Sequence, residues 1–289
     1  MITEDIRKQI KHIEIQTKRL LSGSLVGDSR SAVKGSGYEF DQIREYQMGD
    51  DVRFIDWKSS ARMSKLLVKQ YIEERNRTII LAIDISASSL YTSSGVRKLD
   101  IFQQVAAVLA VVAGFGRDNI SLILFSDEIE LFIPPGRGKS HIHSLVEQIF
   151  TCTSRNKKTN VSVALNRLAK LKRKDAVVFL ISDFIDDQND SLLSVVSRMY
   201  DLIAVRTLDK YESDMSAVGL LPIEDIETGQ EYVIDTRGRT RKKINAFLSD
   251  RIEQQNRLFK KYRIDYLELF DHKTLISDTI RFFRRRMMY

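Results

Sequence analysis

The chain of 289 residues is poor in the residues that cross-link or break a polypeptide, with one cysteine, three prolines and 13 glycines. A single cysteine, Cys152, excludes an intramolecular disulfide and a thiolate metal cluster, and it suits a reducing compartment. So few prolines and glycines argue against long disordered linkers. The remaining composition, 43% hydrophobic and 29% charged, is that of a globular protein with a sizeable core.

The chain also lacks a long apolar run. Its start, MITEDIRKQIKHIEIQ, is too charged for a signal peptide. The most apolar stretch, VAAVLAVVA at residues 105–113, is well short of the ~20 residues that span a bilayer, so we predict a core helix there. We therefore expect a cytoplasmic protein without a transmembrane segment, and docking on a membrane protein stays open.

The net charge is positive, +7 with a pI near 9.3, from 46 basic and 39 acidic residues. Such an excess favours anionic partners in general, including nucleic acid and acidic proteins. Both signs are interspersed along the chain, however, and no nucleic-acid recognition motif accompanies the charge. We expect no specific nucleic-acid partner, although a basic nucleic-acid-binding protein remains an alternative.

Short apolar runs that look like buried strands alternate with helical patterns from residue 66 onwards. This alternation predicts an α/β fold with a mostly parallel central sheet and helices on both faces. Residues 38–65 are rich in aromatic and charged residues without clear periodicity. The predicted strands are 66–71, 78–84, 119–125, 128–133 (stopped by two prolines), 176–182, 202–208 and 264–270, with a hairpin within 220–234; the predicted helices are 4–21, 98–115, 141–151, 162–172, 190–199, 242–261 and 275–286.

Oxygen-bearing side chains follow two of the predicted strands, and another precedes a predicted helix. Asp84, Ser86 and Ser88 alternate after the buried strand that ends at residue 84, and Asp183 ends the strand FLIS. Thr159 stands directly before a predicted helix. Ligands of open α/β sheets collect at the carboxyl ends of strands, and hard divalent cations prefer oxygen ligands. The five residues therefore predict a site for Mg²⁺ or Mn²⁺.

Each of these residues also has an ordinary structural explanation. Ser86, Ser88 or Thr159 could act as a helix N-cap, and Asp183 could simply accept hydrogen bonds from the backbone. Taken singly, each such explanation is favoured. Three loops that converge with only hard oxygen ligands favour the metal site.

The order Asp-x-Ser-x-Ser, Thr-Asn before an Ala-Leu helix, and Ser-Asp after a strand resembles a von Willebrand factor A domain with its metal-ion-dependent adhesion site (MIDAS). The resemblance implies that the two serines and the threonine are direct or near-direct ligands. It implies that the two aspartates hold the ion largely through water. Many members of that family have glycine after the last aspartate, whereas this chain has Phe184, which leaves the shape of that loop open.

The segment GSGYEFDQIREYQMGDDVRFIDWKSSARMSKLLVKQYIEE resembles the hallmark of the bacterial domain-of-unknown-function fifty-eight family. The likeness runs from about residue 35 nearly to the C-terminus and includes GLLPIEDIETGQ. It implies a leader at 1–75 and a von Willebrand A-like (Rossmann-like) domain at 76–289. Relatives commonly occur with AAA+ ATPases of the MoxR group, which implies an adaptor or substrate-recruiting role. The matching positions are Glu39, Phe40, Arg44, Tyr46, Gly49, Asp50, Arg53, Asp56, Trp57, Ala61 and Arg62.

The charged hallmark residues suggest two alternatives. The first is an ion-pair cluster that clamps the leader onto the main domain, since breaking buried charge pairs is costly. The second is a surface for a partner protein. We favour the first, with Arg44, Arg53 and Arg62 paired with Glu39, Asp50 and Asp56 around Tyr46 and Trp57.

The function expected from these residues is non-enzymatic, with no catalytic residue assigned. A divalent cation would bridge to a carboxylate of a partner protein, a MoxR-type AAA+ ATPase or its client. The enzymatic alternative is a metal-dependent phosphoesterase that uses Asp84 and Asp183. Hydrolytic two-metal centres need several carboxylates and usually histidines, whereas the other apparent ligands here are hydroxyls.

Overall fold

The computed structural model describes residues 39–72, 78–90, 95–154, 158–173, 176–185, 190–208, 215–224, 230–270 and 274–287. Their contacts divide these residues into two compact units, one within 39–72 and one from residue 78 onwards. We call the first unit the leader and the second the sheet unit. The helix predicted at 4–21 lies outside the described residues.

The leader is an antiparallel pair of strands with a short helix between them. Strand β1 (Glu39–Glu45) pairs with β2 (Leu67–Ile72), and helix α1 (Trp57–Met63) lies between them in the chain. Only β2 was predicted. Helix α1 has two turns and begins at a side-chain cap, because Asp56 accepts a hydrogen bond from the Ser59 backbone N–H at 3.2 Å. A helix this short has too few turns to show an apolar period.

The sheet unit contains a six-stranded sheet in the order β5-β4-β3-β6-β7-β10. All neighbouring strands are parallel except the edge pair β4 and β5. This confirms the predicted mostly parallel α/β sheet. The strands are β3 (Thr78–Asp84), β4 (Asn119–Phe125), β5 (Ile129–Gly136), β6 (Ala176–Ile181), β7 (Asp201–Thr207) and β10 (Asp265–Leu269); β8 (Leu220–Glu224) and β9 (Glu231–Asp235) form a separate antiparallel hairpin.

Helices cover both faces of the sheet, each above its own apolar core. One core includes buried residues of α2, α3 and α7, and the other includes residues of α4, α5 and α6. Among the described helices, α2 is long and apolar enough to cross a membrane by length and composition, but most of it is buried. The helices are α2 (Lys98–Phe115), α3 (Lys139–Thr151), α4 (Val161–Leu171), α5 (Asp190–Met199), α6 (Gly238–Lys261) and α7 (Leu275–Met287).

One strand boundary was predicted wrongly. We expected the strand from residue 128 to stop at Ile133 before two prolines, but β5 continues through them to Gly136. Proline removes a backbone donor, which an edge strand can tolerate. The β4–β5 pairing is irregular at this point, and the Ser121 hydroxyl donates to the Ile133 carbonyl at 2.7 Å.

The order of the strands sets the position of the candidate ligand site. The chain moves from β3 to β4 on one side and later returns to β6 on the other side of β3. In doubly wound sheets, ligands bind at the carboxyl ends of the strands where the order reverses in this way. The loops that follow β3 and β6, which carry Asp84 and Asp183, meet at this point.

Candidate metal centre

Asp84 is the last residue of β3 and is fully buried. Its Oδ1 accepts hydrogen bonds from the Ser86 backbone N–H at 3.0 Å and the Ser86 hydroxyl at 2.6 Å. Its Oδ2 accepts from the hydroxyl of Ser182, at the end of β6, at 2.8 Å. Asp84 therefore joins the two strand-end loops and is held in one orientation.

Three hydroxyl oxygens form a triangle beside Asp84. The oxygens of Ser86 and Ser88 are 3.1 Å apart, those of Ser88 and Thr159 3.0 Å, and those of Ser86 and Thr159 2.7 Å. Adjacent ligands of an octahedral ion with bonds of about 2.1 Å are about 3.0 Å apart, so the triangle has the size of one face of such an octahedron. The hydroxyls hydrogen-bond one another and are grouped where they fit a small divalent cation.

Thr159 reaches this triangle because another residue caps the following helix. The side chain of Asn160 accepts from the Ser162 backbone N–H at 3.0 Å and forms the N-cap of α4. The Asn160 backbone N–H donates to the Ser126 carbonyl, at the end of β4, at 3.1 Å. The capping explanation of Thr159 is therefore wrong, and its hydroxyl points to Ser86 and Ser88.

Asp183 lies in the loop after β6 and pairs with a buried lysine. Its Oδ2 is 3.0 Å from Nζ of Lys98, the first residue of α2, and both side chains are almost inaccessible to solvent. Its Oδ1 accepts from the Ile185 backbone N–H at 3.2 Å. The backbone explanation of Asp183 thus accounts for one oxygen, and an ammonium group contacts the other.

Phe184 adopts the left-handed backbone conformation that glycine favours, with φ of 54°. Its ring is buried and packs edge-on against Phe259 of α6, with centroids 5.3 Å apart. Its carbonyl accepts from Nε2 of Gln255 at 2.5 Å, and Oε1 of Gln255 accepts from Nη1 of buried Arg206 at 2.6 Å. Helix α6 therefore holds the loop that carries Asp183 in a conformation that costs a phenylalanine about 1–2 kcal/mol.

The electrostatics of the site favour a cation. Burial, and after it the negative charge of Asp183, raise the pKa of Asp84 from 3.8 to about 7, against the lowering effect of hydrogen bonds from Ser86 and Ser182. A desolvated carboxylate beside a second carboxylate is destabilised, and a cation nearby would favour the ionised form. The hard oxygen donors, together with two nearby carboxylates that a cation would stabilise, fit Mg²⁺ or Mn²⁺.

The structure groups the residues predicted for the metal site and adds two that we did not predict. Asp84, Ser86, Ser88 and Thr159 are linked by direct hydrogen bonds, and Asp183 follows the serine that binds Asp84. The additions are Ser182 and Lys98. A lysine in the first turn of a helix lies against the positive end of the helix dipole, and this is the signal that could have marked Lys98.

In the leader, one ion pair joins two of the predicted charged residues. Arg44 donates to both oxygens of Asp50 at 2.7 Å, and the Gln47 backbone N–H donates to the same carboxylate at 2.8 Å. Arg53 pairs instead with its neighbour Asp51, at 2.6 Å. The pairing predicted for Arg53 was wrong because Asp51 caps the short turn in which Arg53 lies and is nearer.

Three other hallmark residues, Asp56, Trp57 and Arg62, have a local role or are exposed. Asp56 caps α1, and its Oδ2 is 3.6 Å from Nζ of Lys69. Trp57 is 66% exposed, so it does not form the centre of a buried aromatic cluster. The side chain of Arg62 is exposed, and that of Glu39 lies outside the described residues.

A family model for proteins of unknown function, DUF58, matches residues 42–254. The chain belongs to the DUF58 family. This confirms the resemblance of the hallmark segment, and the match extends through the sheet unit into α6. An uncharacterized protein of Mycobacterium tuberculosis is 27% identical over 231 residues, which cover 78% of this chain and 73% of that protein. The uncharacterized protein YeaD of Bacillus subtilis is 33% identical over 70 residues, 24% of this chain and 15% of its own length.

Solved structures similar to this DUF58 chain include two from Bacteroides. One is the conserved hypothetical protein BatB of Bacteroides thetaiotaomicron, and the other is an aerotolerance-related membrane protein of Bacteroides fragilis. Each is 14% identical with a TM-score of 0.46, over 72% of this chain and 99% of the other.

Proposed function

We propose that this protein is a non-enzymatic, metal-dependent interaction module that binds a carboxylate of a partner protein. The observation that supports the proposal best is the triangle of hydroxyls, with sides of 2.7–3.1 Å, beside a buried carboxylate. Ser86, Ser88 and Thr159 would hold Mg²⁺ or Mn²⁺, and Asp84 and Asp183 would support it through water. The ion would supply a Lewis acid to which an external oxygen ligand can bind.

The donor types favour recognition over hydrolysis. In the part of the chain that the structure describes, no group of three or more histidine, cysteine, aspartate and glutamate side chains lies close enough to hold a metal ion. Hydroxyls contribute no negative charge to an ion, so a cation held mainly by hydroxyls keeps a strong attraction for an external carboxylate. The Asp or Glu side chain of a partner protein is such a ligand.

For the partner, we propose a MoxR-type AAA+ ATPase or a client that it acts on, in the cytoplasm. This part of the proposal rests on the family resemblance, not on a contact in the structure. The leader offers an exposed surface that includes Trp57, Phe54 and Met63, and exposed large apolar residues are typical of protein interaction sites.

The test is the affinity of the chain for a purified MoxR-type ATPase from the same genome, measured by biolayer interferometry in Mg²⁺. A chelator is unsuitable because the ATPase needs Mg²⁺ for its nucleotide, so the metal site is removed by Ser86→Ala/Ser88→Ala. The matched control is Ser140→Ala/Ser144→Ala, which deletes two exposed hydroxyls near the start of α3. We expect binding by the wild type and the control and loss of binding by the first variant. Equal binding by all three proteins would contradict a metal-dependent interface.

A further inference from the structure

Lys98 is buried in an unfavourable place. Its side chain is 3% exposed, although burying an ammonium group is costly. It occupies the first position of α2, where the helix dipole also disfavours a positive charge. Its 3.0 Å contact with Asp183, whose side chain is 2% exposed, compensates these two costs. The ammonium group therefore belongs to the same buried site as the predicted metal ligands.

The charges of the site show what this lysine changes. Asp84 and Asp183 together carry two negative charges when ionised, and Lys98 carries one positive charge. A divalent cation added to these three groups would leave one net positive charge in a buried site, since the hydroxyls are neutral. One external carboxylate would make the total zero. Without Lys98, the divalent cation alone would already neutralise the two aspartates.

We propose that Lys98 is a resident counter-ion that makes binding of the divalent cation depend on an anionic ligand. This inference rests on the metal site proposed above. The ammonium group opposes binding of the metal alone, and it favours the state in which metal and carboxylate are bound together. By linkage, each of the two ligands then raises the affinity for the other by the same factor. The protein would bind a metal ion firmly only when an acidic partner is in place.

The probe is Mn²⁺, with sodium acetate as the carboxylate. Chelator-stripped protein is titrated with Mn²⁺ while free Mn²⁺ is measured by electron paramagnetic resonance, at several acetate concentrations and constant ionic strength set with sodium perchlorate. For the wild type, we expect acetate to raise the Mn²⁺ affinity by about fivefold or more. For Lys98→Met, we expect Mn²⁺ to bind about tenfold more tightly than to the wild type without acetate, and acetate to have little effect.

Two control variants separate the effect of the charge at position 98 from that of the side chain's shape and from that of removing any lysine charge. Lys98→Arg keeps the positive charge and should keep the acetate dependence of the wild type. Lys170→Met removes an exposed lysine of α4 and should also bind like the wild type. Circular dichroism shows whether each variant is folded, and if Lys98→Met does not fold, Lys98→Gln, which removes the same charge, takes its place.

The outcomes distinguish this inference from the proposed function. Mn²⁺ binding that depends on acetate in the wild type but not in Lys98→Met would support both the proposed function and the role of Lys98. Mn²⁺ binding that is indifferent to acetate and equal in both proteins would overturn the role of Lys98 and leave the metal site standing. Binding to Lys98→Met but never to the wild type would mean that the ammonium replaces the metal, which also overturns the proposal. No binding to either folded protein would refute the metal site itself.

Discussion

The left-handed backbone of Phe184 predicts that glycine is a more stable replacement than alanine at this position, the reverse of the usual order. Removing a buried phenylalanine ring costs about 3–5 kcal/mol of unfolding free energy. The left-handed conformation, with φ of 54°, costs an L-residue about 1–2 kcal/mol, which glycine does not lose. We therefore expect Phe184→Ala to destabilise the protein by about 4 kcal/mol. The destabilisation by Phe184→Gly should be smaller than that of the alanine variant by about 1 kcal/mol.

The control is Phe179, a buried residue of β6 with an ordinary strand backbone. There, glycine should be less stable than alanine by about 0.5–1 kcal/mol because it loses more conformational freedom on folding. Urea denaturation followed by far-ultraviolet circular dichroism is the suitable assay. The single tryptophan, Trp57, lies in the leader, so its fluorescence would report on that unit instead. If alanine is the more stable replacement at both positions, the strain assigned to Phe184 is refuted.

Four further predictions concern the site. Because burial and the charge of Asp183 raise the pKa of Asp84 from 3.8 to about 7, the stability that this group contributes is complete below pH 4 and is lost as the pH rises through 7. In metal-free urea denaturation, the wild type should lose about 3 kcal/mol relative to Asp84→Asn between pH 5 and pH 8, and parallel pH curves would contradict the shift. Thr159→Val should weaken Mn²⁺ binding in acetate by about tenfold or more. Asn160→Ala should leave that affinity near the wild-type value but lose about 1 kcal/mol of helix capping. Calorimetry measures the affinity, and urea denaturation measures the stability. Gln255→Ala should destabilise the protein by about 2 kcal/mol, because Arg206 and the Phe184 carbonyl lose a buried hydrogen-bond partner. An unchanged urea midpoint would argue against a stabilising role of these two hydrogen bonds. No phosphomonoester or phosphodiester should be hydrolysed with Mg²⁺ or Mn²⁺ above background, and turnover that disappears in Asp183→Ala would establish the enzymatic alternative.

The sheet could be predicted because each of its strands carries a short apolar run with clear ends. Strands β3 and β4 and helices α2 and α5 begin and end at the predicted residues. The leader could not be predicted in the same way. Its strand β1, EFDQIRE, has no apolar run, and its helix α1 has only two turns and is fixed by the capping carboxylate of Asp56, which leaves no apolar period in the sequence.

The grouping of the candidate metal ligands could be predicted from the sequence because most of them follow the ends of strands, but the contacts of Lys98 and Phe184 could not. Both depend on residues far away in the chain. Lys98 meets Asp183 across 85 positions, and Phe184 is held by Gln255 across 71. Only the packing of α2 and α6 against the sheet brings these groups together, and the spacing of residues in the sequence does not predict that packing.

We propose above that the three hydroxyls and two aspartates bind one divalent cation. Calorimetric titration of chelator-stripped protein with Mn²⁺ in acetate, on the wild type and on Ser86→Ala/Ser88→Ala, tests it most directly. We expect saturable binding of one ion per chain by the wild type and none by the variant. Identical isotherms for the two folded proteins, or no binding by the wild type, would contradict it.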